Sequence, residues 1–273
     1  MPPEGRRRIR KERGEFRSGA KIQQQQYVAS TDLLAEQTEL AQNSRSPYPP
    51  YFPSELPQPV APMTKLRFLL LGISLLGCAF VVLPLDLRIA RALSGESRLP
   101  GDLKRLVRLS EVFAHGLGVA MLLITALVLD WKNRRGVVIA GANAYLCGGI
   151  ANLAKMIIGR SRPHETDLSL SNVSDSFGSW LPILGEQPWT HAMQSFPSAH
   201  TATGVGFAVG LAYAYPQGRV WFACLACLAA FQRMECGAHF FSDVVAGAAI
   251  ALLACTIVIP NQTKLIVAEH QSR

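Results

Sequence analysis

The chain is short of charge. Of its 273 residues, 17% are Asp, Glu, Lys or Arg, against about 25% in an average soluble domain. That shortage argues against an ordinary water-soluble domain, and it is uneven: from residue 66 onward the apolar residues run in blocks long enough to span a bilayer. Cysteine offers no framework either. Of Cys78, Cys147, Cys224, Cys227, Cys236 and Cys255, only Cys224-Leu-Ala-Cys227 has the spacing of a redox or zinc pair. No second pair or ligand-spaced histidine accompanies it, so the cysteines read as small hydrophobes in packed helices. No internal repeat is visible, which weighs against a transporter built from duplicated halves. The first apolar block starts too late for a cleavable signal peptide.

What remains is a tail and a series of apolar segments. Residues 1–62 read as a disordered tail, basic at Arg6-Arg7-Arg8-Ile9-Arg10-Lys11 and proline-rich from Pro47 to Pro62; such a composition cannot bury a core. The formal charge of +8 suits either nucleic acid or an anionic membrane surface. Beside so many apolar blocks the membrane is the expected partner, and no nucleic acid is expected.

Residues 63–262 read as one all-α domain, a polytopic membrane bundle of about six transmembrane helices. The expected spans are Leu66–Leu85, Val112–Leu129, Val137–Ile158, Ser198–Tyr215, Val220–Gln232 and Ser242–Ile259. Between the first two, Pro100-Gly101-Asp102 predicts a helix start with Asp102 as N-cap, opening an amphipathic interfacial helix. A polar loop, residues 164–195, holds no lysine or arginine. Residues 263–273 form a short C-terminal tail.

Three clusters sit at the ends of these segments: Lys155-Met-Ile-Ile-Gly-Arg-Ser-Arg162-Pro163, Pro197-Ser198-Ala199-His200 and Arg233-Met-Glu-Cys-Gly-Ala-His239-Phe-Phe-Ser-Asp243. Consecutive spans alternate in direction, so all three fall on one side of the membrane. Lys65, Arg67, Lys132, Arg134, Arg135, Arg219 and Lys264 mark the opposite side as cytoplasmic, whereas Arg88, Arg91, Arg98, Lys104, Arg105 and Arg108 fall on the cluster side. The basic tail and the even number of spans favour both termini inside. The expectation is a protein of the cytoplasmic (inner) membrane with its site on the non-cytoplasmic side.

The clusters suit an anion. Lys155 and Arg162 are seven residues apart, two helical turns, which predicts one shared face with Pro163 ending the helix. Arginine's fork and lysine's point charge match phosphate oxygens, although either alone also suits snorkelling to headgroups. Pro197-Ser198-Ala199-His200 opens a helix, whose free N–H groups favour an anion. Ser198 adds a hydroxyl, and His200 is placed to protonate a departing alkoxide. His239 and Asp243 are four apart. If the last helix begins before them, the carboxylate accepts one imidazole N–H and leaves the other nitrogen free to attack. Arg233 lies just upstream, able to neutralise a transition-state oxygen.

The set resembles the type-2 phosphatidic acid phosphatase superfamily, which includes lipid phosphate phosphatases and vanadium haloperoxidases. Its signature is Lys, six residues, Arg-Pro; Pro-Ser-Gly-His; and Ser-Arg, five residues, His, three residues, Asp. The chain departs from it twice, with Ala199 in place of glycine and Gln232 in place of serine. The resemblance implies His239 as the nucleophile forming a phosphohistidine, Asp243 as its orienter and His200 as general acid. It implies Lys155, Arg162, Ser198, the Ala199 amide and Arg233 as phosphate holders, with no metal or other cofactor needed. The expected function is an integral membrane phosphatase acting on a lipid phosphate or diphosphate monoester: phosphatidic acid, phosphatidylglycerol phosphate or polyprenyl diphosphate. A lipid phosphotransferase using the same site, or an inactive membrane protein that binds lipid phosphates, are the alternatives.

Overall fold

The computed structural model describes residues 64–95, 99–169, 172–184 and 190–259. The tail expected over residues 1–62 and the segment 263–273 lie outside them. Eight α-helices and one short ribbon are found among the described residues. Helix α1 (Lys65–Val82) is opened by Thr64, whose hydroxyl accepts the Arg67 N–H at 3.4 Å. Pro84 has no N–H to donate, and the chain tightens into a 3-10 turn there before α2 (Asp86–Leu93). Helix α3 (Gly101–Leu109) carries the expected amphipathic pattern, but Pro100 is its N-cap and Asp102 lies in its first turn. A 3-10 turn over Ser110–Phe113 leads to α4 (Gly116–Leu129), capped by His115, whose Nδ1 accepts the Leu117 N–H at 3.3 Å. The two arms bend by 76° at this elbow.

Helix α5 (Arg134–Lys155) is followed by strand β1 (Ile158–Arg160), which pairs antiparallel with β2 (Phe177–Trp180). Then come α6 (Ala199–Ala214), α7 (Arg219–Glu235) and α8 (Phe241–Val258). The protein is therefore mostly helical, with a small ribbon that an all-α expectation does not contain. Lys155 is the last residue of α5, and Arg162 lies beyond the strand in extended backbone. The two cations do not share a helix face.

All six expected spans contain a helix. Among the described residues, three helical stretches are long and apolar enough to cross a membrane, Lys65–Leu93, Trp131–Lys155 and Phe241–Val258, and the bent pair Gly101–Phe113 with Gly116–Leu129 adds a fourth if it counts as one span. Helices α6 and α7 have 16 and 17 residues. Large apolar side chains on α1 and α4, among them Leu70, Phe80, Met121 and Ile124, face outward, as lipid-facing surfaces do.

The interior is built instead from small residues. Ala140, Ala144, Ala151, Ala202, Ala246 and Ala251 are fully buried, and α6 packs against α5, α7 and α8. With few large side chains between them, the helices meet backbone to backbone. A Cβ added at Gly210 of α6 would lie 2.4 Å from Ala140 Cα, and one at Gly247 of α8 would lie 2.4 Å from Ser198 O. The second contact matters for the site, because it seats the start of α6 directly against α8. Cys224 and Cys227 are free thiols exposed on α7.

The packing predicts a contrast between two glycines. Gly210→Ala forces α5 and α6 apart and costs about 1–3 kcal/mol. Gly149→Ala, where a Cβ meets nothing within 4 Å, is neutral or stabilising, because alanine favours helix. Thermal unfolding in detergent checks this; equal midpoints for the two variants would refute the close approach.

Candidate active site

A fully buried charge lies between the outer members of the first cluster. Arg160, at the end of β1, is fully buried, with its guanidinium 4.4 Å from the Phe177 ring centroid and 4.2 Å from that of Phe240. Its Nη2 donates to Asp86 Oδ2 at 2.7 Å, and its Nη1 donates to Asp243 Oδ1 at 2.5 Å and to Ser242 Oγ at 2.8 Å. Nε donates to Ser176 Oγ at 3.1 Å. Asp86 in turn accepts the Ser242 N–H at 2.9 Å and the Ser242 hydroxyl. One cation thus ties the start of α2, the ribbon and the first turn of α8 together.

Asp243 is committed to this network. Its Oδ2 accepts the Ser195 hydroxyl at 2.6 Å and the Phe240 N–H at 2.8 Å, closing the N-terminus of α8. That helix begins at Phe241, after His239, so His239 and Asp243 do not lie on a common helix face. The carboxylate is 3.8 Å from His239 Nδ1, beyond hydrogen-bond length. Nδ1 instead lies 2.7 Å from Ser195 O. A carbonyl only accepts, so Nδ1 carries the proton and Nε2 keeps its lone pair. Burial pushes the His239 pKa below its ordinary value, against the opposing pull of Asp243.

The other predicted residues gather around this histidine. Lys155 is buried, and its ammonium donates to Gln194 O at 2.6 Å. Arg162 Nη2 lies 3.3 Å from His191 Nδ1, while its buried Nε has no partner. Ser198 caps α6, accepting from the Thr201 N–H at 3.3 Å and the Thr201 hydroxyl at 2.9 Å, which leaves its own proton to donate. Ala199 and His200 form the first turn above it. Arg233, at the end of α7, is held by Gln232, whose Oε1 accepts from Arg233 Nε at 2.6 Å. The residue in the family's serine position therefore orients the neighbouring cation. The main chain couples the clusters too: Asp243 O accepts the Ser198 N–H, and Arg233 O accepts the His239 N–H.

Four contributors were not singled out from the sequence: Arg160, Asp86, Ser195 and Glu111. Arg160 lies inside the first cluster, and Asp86 is an acid at the end of an apolar block, where an ionisable group signals a role. Nothing in the sequence points to Ser195 or Glu111. Glu111 Oε1 lies 3.0 Å from Arg233 Nη2 and 3.8 Å from His200 Nε2. A cavity of about 760 Å³ opens beside this group, lined in part by Lys104, Arg108, Glu111, His164, Gln232 and His239. Among the described residues, no group of three or more His, Cys, Asp and Glu side chains comes together as a metal site.

Comparisons with known proteins give the family of the chain. The profile of the PAP2 superfamily matches residues 136–266. Over 195 residues the chain is 31% identical to a lipid A 1-phosphatase of Rhizobium johnstonii, spanning 63% of this chain and 74% of that protein. It is 29% identical over 161 residues to a decaprenylphosphoryl-5-phosphoribose phosphatase of Mycobacterium tuberculosis, spanning 58% of this chain and 80% of that protein. The crystal structure of a transmembrane PAP2-type phosphatidylglycerolphosphate phosphatase from Bacillus subtilis superposes with a TM-score of 0.49 at 16% identity, covering 74% of this chain and 97% of that one. The family model and these phosphatase relatives, with a helical bundle of apolar outer faces, define a membrane-bound phosphoric monoester hydrolase. Within that class, the chain belongs to the PAP2 superfamily.

The Arg160 network predicts a large, one-sided stability effect. Arg160→Leu strands two buried carboxylates and costs about 3–5 kcal/mol. Arg233→Leu, at the mouth of the site, costs far less. Urea unfolding in detergent measures both, and equal losses would contradict the assigned role of Arg160.

Proposed function

We propose that this protein removes the phosphate from a lipid phosphate monoester through a phosphohistidine formed on His239. One observation carries the reading. Around a histidine with a free Nε2 lie two cations, Lys155 and Arg162, with no carboxylate in ion-pair contact among the described residues. Arg160 is matched by Asp86 and Asp243, and Arg233 by Glu111. A buried excess of positive charge is costly unless an anion completes it, and a phosphate dianion does so.

In this reading Lys155, Arg162, Arg233, the Ser198 hydroxyl and the Ala199 amide hold the phosphate oxygens. His239 Nε2 bonds to phosphorus as the ester P–O bond breaks, and His200 passes a proton to the departing alkoxide. Ser195 O keeps the Nδ1 proton in place. The Asp243 carboxylate, 3.8 Å away, stabilises the positive charge that develops on the imidazole. Water then attacks phosphorus, the P–N bond breaks, and a water proton returns to His200. No step calls for a metal.

On this reading α1 and α4 to α8 are six spans, with the clusters at one membrane surface, the non-cytoplasmic side of the inner membrane. One relative is named for lipid A and another for decaprenylphosphoryl-5-phosphoribose, and the cavity beside His239 is lined by polar and apolar groups in about equal measure. The name of the phosphoribose phosphatase favours a lipid substrate whose phosphate is borne on a sugar headgroup over phosphatidic acid.

Two outcomes follow. Phosphate release by the detergent-purified protein, measured over a panel of lipid phosphates, persists in EDTA, is lost in His239→Ala, and is greatest with sugar-borne phosphates. Loss in EDTA, or survival in His239→Ala, would remove the mechanism. His239 attacks only when neutral, and its proton leaves below the ordinary value of 6.5. Activity is therefore retained as pH falls to 6.5, and the acid limb of kcat/KM is centred below it. An acid limb centred above pH 6.5 would contradict the buried, neutral histidine.

A further inference from the structure

Glu111 belongs to none of the three clusters. It lies on the 3-10 turn between α3 and α4, and its single oxygen Oε1 faces two groups at once: Arg233 Nη2 at 3.0 Å and His200 Nε2 at 3.8 Å. The side chains surrounding His200 are otherwise positive or able to become so: Arg233 from α7, Lys155 from α5, His115 from the α3–α4 elbow and His239. The His115 ring is 5.7 Å from that of His200, and its Nδ1 is already taken by the Leu117 N–H, so it offers that face no acceptor. Asp243, the carboxylate on the far side of the site, is engaged by Arg160, Ser195 and Phe240. Glu111 is thus the carboxylate that meets His200 among the described residues.

We infer that Glu111 is a positioning residue for the leaving-group step, facing the His200 imidazole while it anchors Arg233 alongside. The inference rests on the general-acid role proposed for His200. In the step, the P–O bond of the ester breaks, the His239 Nε2–P bond forms, and one imidazolium proton passes from His200 to the leaving oxygen. Glu111 stays ionised and neither gains nor loses a proton. Two features support a functional placement. Glu111 is half-exposed at the mouth of a cavity that His239 also lines, so it is not a structural ion pair sealed in the core. Its backbone is fixed by packing below: Phe113, two residues on, is buried against Phe207 of α6 with ring centroids 5.0 Å apart.

General-acid assistance matters in proportion to how poorly the alcohol leaves, and this separates Glu111 from a merely structural residue. The test compares dodecyl phosphate, whose alkoxide leaves badly, with 4-nitrophenyl phosphate, whose phenolate needs no proton. It uses the full-length protein in detergent. Glu111→Gln lowers the ratio of kcat on dodecyl phosphate to kcat on 4-nitrophenyl phosphate by about 10-fold or more. Glu111→Asp restores part of the ratio. His200→Ala lowers the same ratio at least as far, and adding Glu111→Gln to it produces no further fall. If Glu111→Gln slows both substrates equally, or lowers the ratio further in the His200→Ala background, Glu111 does not act through His200 and the inference is overturned. If His200→Ala itself slows both substrates equally, the general-acid reading fails first and the role of Glu111 falls with it. The two failures are therefore distinguishable.

Discussion

The pairing of Arg160 with Asp86 and Asp243 is the contact on which the site is built. Its three members come from segments 74 and 83 residues apart in the chain, so it forms only when α2, the ribbon and α8 have all arrived. Two carboxylates and a guanidinium removed from solvent cost more in desolvation than one contact returns, unless every remaining donor and acceptor is met. Here they are met: Ser176 and Ser242 complete the guanidinium, Ser242 completes Asp86, and Ser195 and Phe240 complete Asp243. The aromatic faces of Phe177 and Phe240 close the remaining sides. The same bonds that satisfy Asp243 fix the first turn of α8, and with it the loop that carries His239.

The bundle supplies the second constraint. Because α5, α6 and α8 meet through glycine and alanine, their axes approach closely and their ends fall at one level. Ser198 O lies against Gly247, so the N-terminus of α6 and that of α8 are neighbours. A large residue there would separate His200 from His239 even with both side chains intact. Small-residue packing, usually discussed as a source of helix association in lipid, here sets a distance between functional groups.

Much of this was legible in the sequence because it is local. Apolar runs and their polar margins placed the helices, and the proline-serine pair placed the start of α6. Chain alternation brought the three clusters together. What escaped was non-local. The seven-residue step from Lys155 to Arg162 fits two helical turns, yet the helix ends at Lys155 and the chain goes on as a strand, Ile158 pairing with Trp180 and Arg160 with Phe177. Arg162 reaches the site from an extended segment instead. The four-residue step from His239 to Asp243 fits a helix face as well. But Asp243 closes the helix by accepting the Phe240 N–H, which puts the histidine outside it, and Ser195 takes over the imidazole proton. Backbone acceptors such as Ser195 O leave no trace in a sequence, since every residue has one. Gln232, a departure from the family's serine, proves to hold Arg233 by a hydrogen bond its longer side chain alone makes possible.

The charge balance follows from these assignments. If Asp243 were the direct partner of His239, its negative charge would be spent on the imidazole and Arg160 would be left to bind the substrate. Instead Asp243 neutralises Arg160 in the interior, while a neutral carbonyl holds the imidazole. The carboxylate's field still reaches the ring at 3.8 Å, but without a proton shared between them. Burial holds the pKa of His239 below its ordinary value, and the ring lies close to Lys155 and Arg162, which have no carboxylate in ion-pair contact among the described residues. An attacking histidine develops positive charge as its bond to phosphorus forms. A nearby carboxylate already compensated by Arg160 can stabilise that charge without repelling the incoming dianion. Burying Arg160 against Asp86 and Asp243 leaves Lys155 and Arg162 with no carboxylate in ion-pair contact among the described residues.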